Sequence, residues 1–118
     1  MIEAVTRCEA RVMHVVDGDT YVCLLNVMKT KSWAGAVGIE IRLADYSCHE
    51  ITGTLKDRGL EAKSFVEALF ATPGVRVLVE LTGARTFSRH VGWVWAGGIA
   101  LGPLLEQAGL ARRGSFTG

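Results

Sequence analysis

Only two of the 118 residues are proline and three are cysteine, and neither sign of charge is in clear excess, with 13 Lys+Arg against 12 Asp+Glu. A near-neutral balance excludes a strongly basic nucleic-acid tail and an acidic disordered segment. Cys8, Cys23 and Cys48 are an odd number without Cys-x-x-Cys spacing. That argues against a disulfide framework and for a reducing compartment. The first residues hold no basic stretch followed by an apolar run, so no secretory signal is read there. No apolar stretch is long enough to span a bilayer; the longest, residues 91–105, is broken by Gly92, Gly97, Gly98, Gly102 and Pro103. A cytoplasmic location is the expectation.

What is present suits one domain, residues 1–118, with a core that needs no staples. Fourteen glycines imply many turns or close backbone approaches. Strands are expected at residues 10–16, 20–27, 38–44, 75–81 and 90–95, where Val, Ile and Leu alternate with polar residues. Asp17-Gly18-Asp19 is a turn signal between the first two. Residues 28–37, 45–56 and 82–88 read as loops. Residues 57–70 read as a helix, with Asp57 as N-cap and Ala62, Phe65, Val66 and Leu69 on its apolar stripe. Gly97-Gly98 reads as a hairpin turn leading back through residues 99–101. A short helix runs from Pro103 through Ala108, stopped by Gly109. Five strands with a helix between the third and fourth predict a mainly β, α+β chain: a five-stranded OB-fold barrel with a short C-terminal helix. Such barrels bind oligonucleotides.

The chemistry-bearing residues suit phosphodiester cleavage, which needs a base for water, cations for the phosphoryl oxygens and often a divalent metal. Asp17 and Asp19 flank a glycine and can aim two carboxylates at one hard cation. Arg42 lies on the polar side of a strand, Glu50 in the loop after it, and Arg89 at the start of the fifth strand. Arginine's fork matches phosphate and stays charged. Each residue also has a plain reading: turn filler for Asp17 and Asp19, a cross-strand pair for Arg42, loop for Glu50. Cys48-His49 has no second pair at zinc spacing. Trp93 and Trp95 share one strand face and read as barrel packing.

The joint order is more specific. Val16-Asp17-Gly18-Asp19-Thr20, Ile41-Arg42-Leu43-Ala44, Glu50, Gly59-Leu60-Glu61-Ala62, Phe87-Ser88-Arg89 and Gln107-Ala108-Gly109-Leu110-Ala111 follow one another along nearly the whole chain. This order resembles the staphylococcal-nuclease-like (thermonuclease) family. The resemblance implies an OB-fold barrel and calcium-dependent hydrolysis of DNA and RNA. It implies Glu50 as general base, with Arg42 and Arg89 holding the phosphate. Asp19 would be a Ca2+ ligand, with Asp17, Thr20 and Ser47 around it, and Phe87 would stand at the family's aromatic position. Apart from the resemblance, Arg85, Arg112 and Arg113 tilt the chain from Thr82 onward positive and are substrate-binding candidates. Ser47 stands where the family has a second metal-binding aspartate, and His49 where it has proline. The hydroxyl brings no charge, so weaker calcium binding is expected. Phe87-Ser88-Arg89 keeps the arginine of the family's Tyr-Gly-Arg and loses the tyrosine hydroxyl. The family's long third helix does not follow before Gly118, so the expectation is either a homodimer that covers this barrel face or a trimmed barrel. A binding module that keeps the groove without catalysis is the alternative reading.

Overall fold

The computed structural model describes residues 4–49, 56–86 and 88–114. The elements in order are β1 (Ala4–Asp17), β2 (Thr20–Leu25), β3 (Val37–Leu43), β4 (Tyr46–Cys48), α1 (Lys56–Phe70), β5 (Val77–Thr86), β6 (Arg89–Ala96), β7 (Ile99–Ala100), α2 (Leu101–Gln107) and β8 (Ala111–Arg113). Strands β3, β2, β1, β5 and β6 are antiparallel neighbours in that order. β3 then pairs with β6 in parallel, through Ile41 with His90, Arg42 with Val91 and Leu43 with Gly92. That last pairing closes a five-stranded barrel, the OB-like α+β architecture expected from the element order.

Alternation decides which residues face inward. β6 buries His90, Gly92, Val94 and Ala96 and turns Arg89, Val91, Trp93 and Trp95 outward. Trp93 and Trp95 therefore lie on the outer wall, where Trp93 packs against the core and Trp95 carries the Arg7 guanidinium 3.7 Å from its ring centroid. Tyr21, Leu25, Ile41, Val79 and Val94 fill the barrel, and Val66 of α1 and Leu101 and Leu105 of α2 join them. Each such buried aliphatic side chain contributes about 1.5–3 kcal/mol. Phe65 and Leu69 are only partly buried against this cluster. Phe70 meets Tyr21 edge to face, with centroids 5.3 Å apart.

Several boundaries differ from the sequence expectation. β1 begins at Ala4 because residues 4–10 pair with β5, ahead of residues 10–17, which pair with β2. β5 continues to Thr86, through the stretch expected to be loop, across an irregularity between Leu81 and Arg85. Asp57 lies inside the first turn of α1, not ahead of it. Leu101 starts α2 instead of ending a strand. Gly97 and Gly98 do form the β6–β7 turn, with φ of 59° and 82°, the left-handed pair that a tight hairpin requires. No helix among the described residues is long and apolar enough to cross a membrane.

Candidate functional site

The site expected from sequence lies at the β1–β2 turn. Asp17 pairs with Thr20, leaving Gly18-Asp19 as a two-residue connection. A bulge between Val15 and Asp17 precedes it. Such bulges re-aim side chains beside them. Gly18 is required here for space: a Cβ on it would lie 2.7 Å from Cys48 Sγ and from Ala62 Cβ. The turn is therefore pressed between β4 and α1. Tyr21 reaches back inside the barrel and donates its hydroxyl hydrogen to Gly18 O.

Asp19 is buried and works as a tie between segments. Its Oδ1 accepts from Thr20 Oγ1 at 3.1 Å, and its Oδ2 accepts from Cys48 N at 2.8 Å. Asp17 Oδ1 accepts from Asp19 N at 3.1 Å. Burial raises the Asp17 carboxyl from its usual acidic range to about 7, and the adjacent Asp19 adds to the rise. Burial likewise pushes the Cys48 thiol up to about 12, with Asp19 and Asp17 adding to it, so it stays protonated.

Arg42 comes from β3, opposite Thr20 in register. Its Nη1 donates to Leu43 O at 2.7 Å and to Tyr46 O at 2.6 Å, and its Nη2 donates to Ser47 Oγ at 2.7 Å. Nη2 also lies 3.4 Å from Asp19 Oδ2. Only a planar fork meets four acceptors in this way. Arg89 arrives through the parallel β3–β6 pairing, with Nη1 3.4 Å from Thr20 Oγ1 and Nε 4.0 Å from Glu40 Oε2. Arg42, Asp45, Tyr46, Ser47, Thr86 and Gly114 line an open cleft of about 380 Å3 beside this cluster.

The structure thus brings together Asp17, Asp19, Thr20, Arg42, Ser47 and Arg89. Arg112 is paired in register with Ser47 where β8 joins β4, and Arg113 donates from Nη2 to Tyr46 Oη at 3.1 Å. Arg85 is paired in register with His90 on the neighbouring strand. Glu50 and Phe87 lie outside the described residues. Sequence reading does not place Tyr46 at this end, and it reads His90, beside Arg89, as a hydrogen-bonding strand residue. Tyr46 supplies the carbonyl that holds Arg42 and the hydroxyl that holds Arg113. His90 is buried, its Nδ1 has no hydrogen-bond partner among the described residues, and burial with Arg85 nearby lowers its pKa. Its inward position follows from the β6 alternation.

Calcium takes six to eight oxygen ligands and favours several carboxylates. Among the described residues, no three His, Cys, Asp or Glu side chains come together in a group that could hold a metal ion. Both Asp19 oxygens already accept hydrogen bonds, and the Ser47 hydroxyl faces the Arg42 guanidinium. Asp17 is part protonated near neutrality. Among the described residues, these donors suit a guanidinium and do not fit a hard dication.

No family model matches the chain, and no curated protein matches it.

Proposed function

We propose that the chain is a staphylococcal-nuclease-like phosphodiesterase that binds and hydrolyses DNA or RNA at the β1–β2 turn. The observation that supports this most is the meeting of Arg42 and Arg89 around Thr20 and Asp19. Arg89 Nη1 lies 3.4 Å from Thr20 Oγ1, Arg42 Nη2 lies 3.4 Å from the adjacent Asp19 Oδ2, and Arg42 lines the open cleft. In this reading they receive the non-bridging oxygens of a phosphate and offset the charge that grows there in the transition state. Four acceptors hold the Arg42 Nη groups in place, which leaves its Nε–H and its fixed charge for the phosphate. Asp19 and Ser47 orient Arg42, and Thr20 orients Arg89. Glu50, assigned by resemblance, takes a proton from the attacking water.

Two observations favour the second reading, an OB-fold module that binds nucleic acid without cutting it. Arg42 is engaged within the protein, and the described donors do not fit calcium.

Cleavage of labelled single-stranded DNA and RNA by the parent chain, Glu50→Gln and Arg89→Ala, with binding measured in parallel, separates the two. The hydrolase reading expects turnover by the parent and a loss of about 10²-fold or more in Arg89→Ala. Salt-sensitive binding with cleavage no greater than that of Glu50→Gln leaves the binding module. Neither binding nor cleavage ends both.

A further inference from the structure

The outer wall of β1 and β5 carries a second feature, about 25 Å from the β1–β2 turn at the usual rise of a strand. Between this wall and the β2–β3 loop, residues 26–36, lies a cleft of about 440 Å3. Its lining joins Arg7 and Glu9 of β1 and Arg76, just before β5, to Lys29, Lys31 and Trp33 of the loop.

The loop is tied down. Asn26 is buried; its Nδ2 donates to Thr30 O at 2.8 Å and its Oδ1 accepts from Thr30 N at 3.2 Å. Asn26 N also donates to Glu9 O at 2.9 Å, fixing the loop to β1. Lys29 and Trp33 both hold left-handed backbone, with φ of 55° and 60°. Few residues other than glycine do so. The Arg11 guanidinium lies 4.2 Å from the Trp33 ring centroid, a cation–π stack that steadies the indole.

In charge, the lining has four cations and one carboxylate. The ion pairs at its edge, Arg76–Glu9 at 3.4 Å and Arg7–Glu80 at 4.0 Å, join side chains that are 43–68% exposed. Pairs this exposed are weak and exchange readily for a phosphate. The volume is that of a small-ligand pocket and accommodates a nucleotide unit. Cations along a backbone track, with an aromatic ring beside them, are how proteins hold single strands. An acidic peptide would satisfy the lysines but leave the indole without a ring to meet.

We infer that this cleft is a second binding site for single-stranded nucleic acid, taking a phosphate on Lys31, Lys29 and Arg76 and a base beside Trp33. It rests on the nucleic-acid reading of the turn end and extends it: one strand is gripped at both ends of the β1–β2 hairpin.

The test is fluorescence anisotropy of a labelled oligothymidylate of about 16 nucleotides, the upper range for one OB-fold, titrated with Glu50→Gln protein to prevent cleavage. In that background, Lys31→Glu with Arg76→Glu weakens binding at least about tenfold and lowers the log–log salt slope by about two. Trp33→Ala weakens binding, and Trp33→Phe restores most of it. Circular dichroism confirms that each variant is folded. Parent-like affinity and salt slope in the double variant overturn the second site. If Arg89→Ala still weakens binding in that case, the proposed function stands without it. No binding by the starting protein overturns both. Displacement of the oligonucleotide by polyglutamate as readily as by unlabelled oligothymidylate overturns the nucleic-acid assignment.

Discussion

The Cys48 backbone N–H donates to Asp19 Oδ2 at 2.8 Å, joining two segments 29 residues apart. Asp19 is thereby a structural tie between the β1–β2 turn and β4, whatever else it contacts. Asp19→Ala leaves that N–H and the Arg42 guanidinium without their carboxylate. Removing one partner of a buried charged hydrogen bond costs about 2 kcal/mol or more. Urea unfolding followed by circular dichroism should show that loss, and a change within about 0.5 kcal/mol would contradict the tie.

The two arginines differ in their dependence on the fold. Arg42 reaches four acceptors, whereas Arg89 is seen near Thr20 and Glu40. Arg42→Lys should lower stability by about 1–3 kcal/mol, because an ammonium cannot reproduce the fork. Arg89→Lys keeps the charge and loses the fork that reaches Thr20 Oγ1 and Glu40. Both should weaken oligonucleotide binding. Thermal unfolding alongside binding isotherms gives the comparison.

Ser47 decides the response to calcium. The parent chain should show little shift in Tm when calcium chloride is added, since its described donors do not fit the ion. Ser47→Asp places a second carboxylate beside Asp19 and should make Tm rise with calcium concentration, by the linkage of binding to folding. Equal shifts in both proteins, measured by scanning fluorimetry, would contradict this.

Asp17 should make stability fall as pH rises. Its folded carboxyl is raised by burial from 3.8 to about 7. Between these values the folded state binds more protons than the unfolded state, so stability is greatest below pH 4 from this group and declines through pH 7. Asp17→Asn removes that decline while its side-chain oxygen can still accept from Asp19 N. Carboxyl NMR titration of Asp17 should give a midpoint near 7, and denaturation at several pH values should show the slope in the parent only.

Gly18→Ala should distort the site through packing. The added methyl would meet Cys48 Sγ and Ala62 Cβ at 2.7 Å. Overpacking of this kind costs about 1–3 kcal/mol. Ala62→Gly in the same chain opens one side of the contact and should recover part of the fit to oligonucleotide, though helix propensity limits the gain in stability.

The barrel was legible because its long strands alternate. Ile39, Ile41 and Leu43 against Glu40 and Arg42 fixed both the strand and the outward face of Arg42. β4 and β8, of three residues each, are too short for any period to register. β5 hid its far half because Thr82 to Thr86 is polar and lies on the exposed end of the pairing with β6. The convergence of Asp19, Arg42 and Ser47 followed from motif order, but the bonds from Arg42 to the carbonyls of Leu43 and Tyr46 could not. Those depend on the turn at Asp45, whose φ of 65° no neighbour in sequence requires. The cleft beneath the β2–β3 loop was equally hidden, since Arg7, Arg76 and Lys31 are far apart in sequence and meet only across the wall.

The parallel β3–β6 contact also bears on folding time. It joins residues nearly fifty positions apart, and such distant contacts are slow to form because a long loop must close first. Arg42 and Arg89 become neighbours only at that step. A partly folded chain, even one with its first hairpin formed, has no paired guanidiniums to offer. Oligonucleotide affinity during refolding would therefore report the moment of barrel closure, and a bound strand would slow the reopening of that seam.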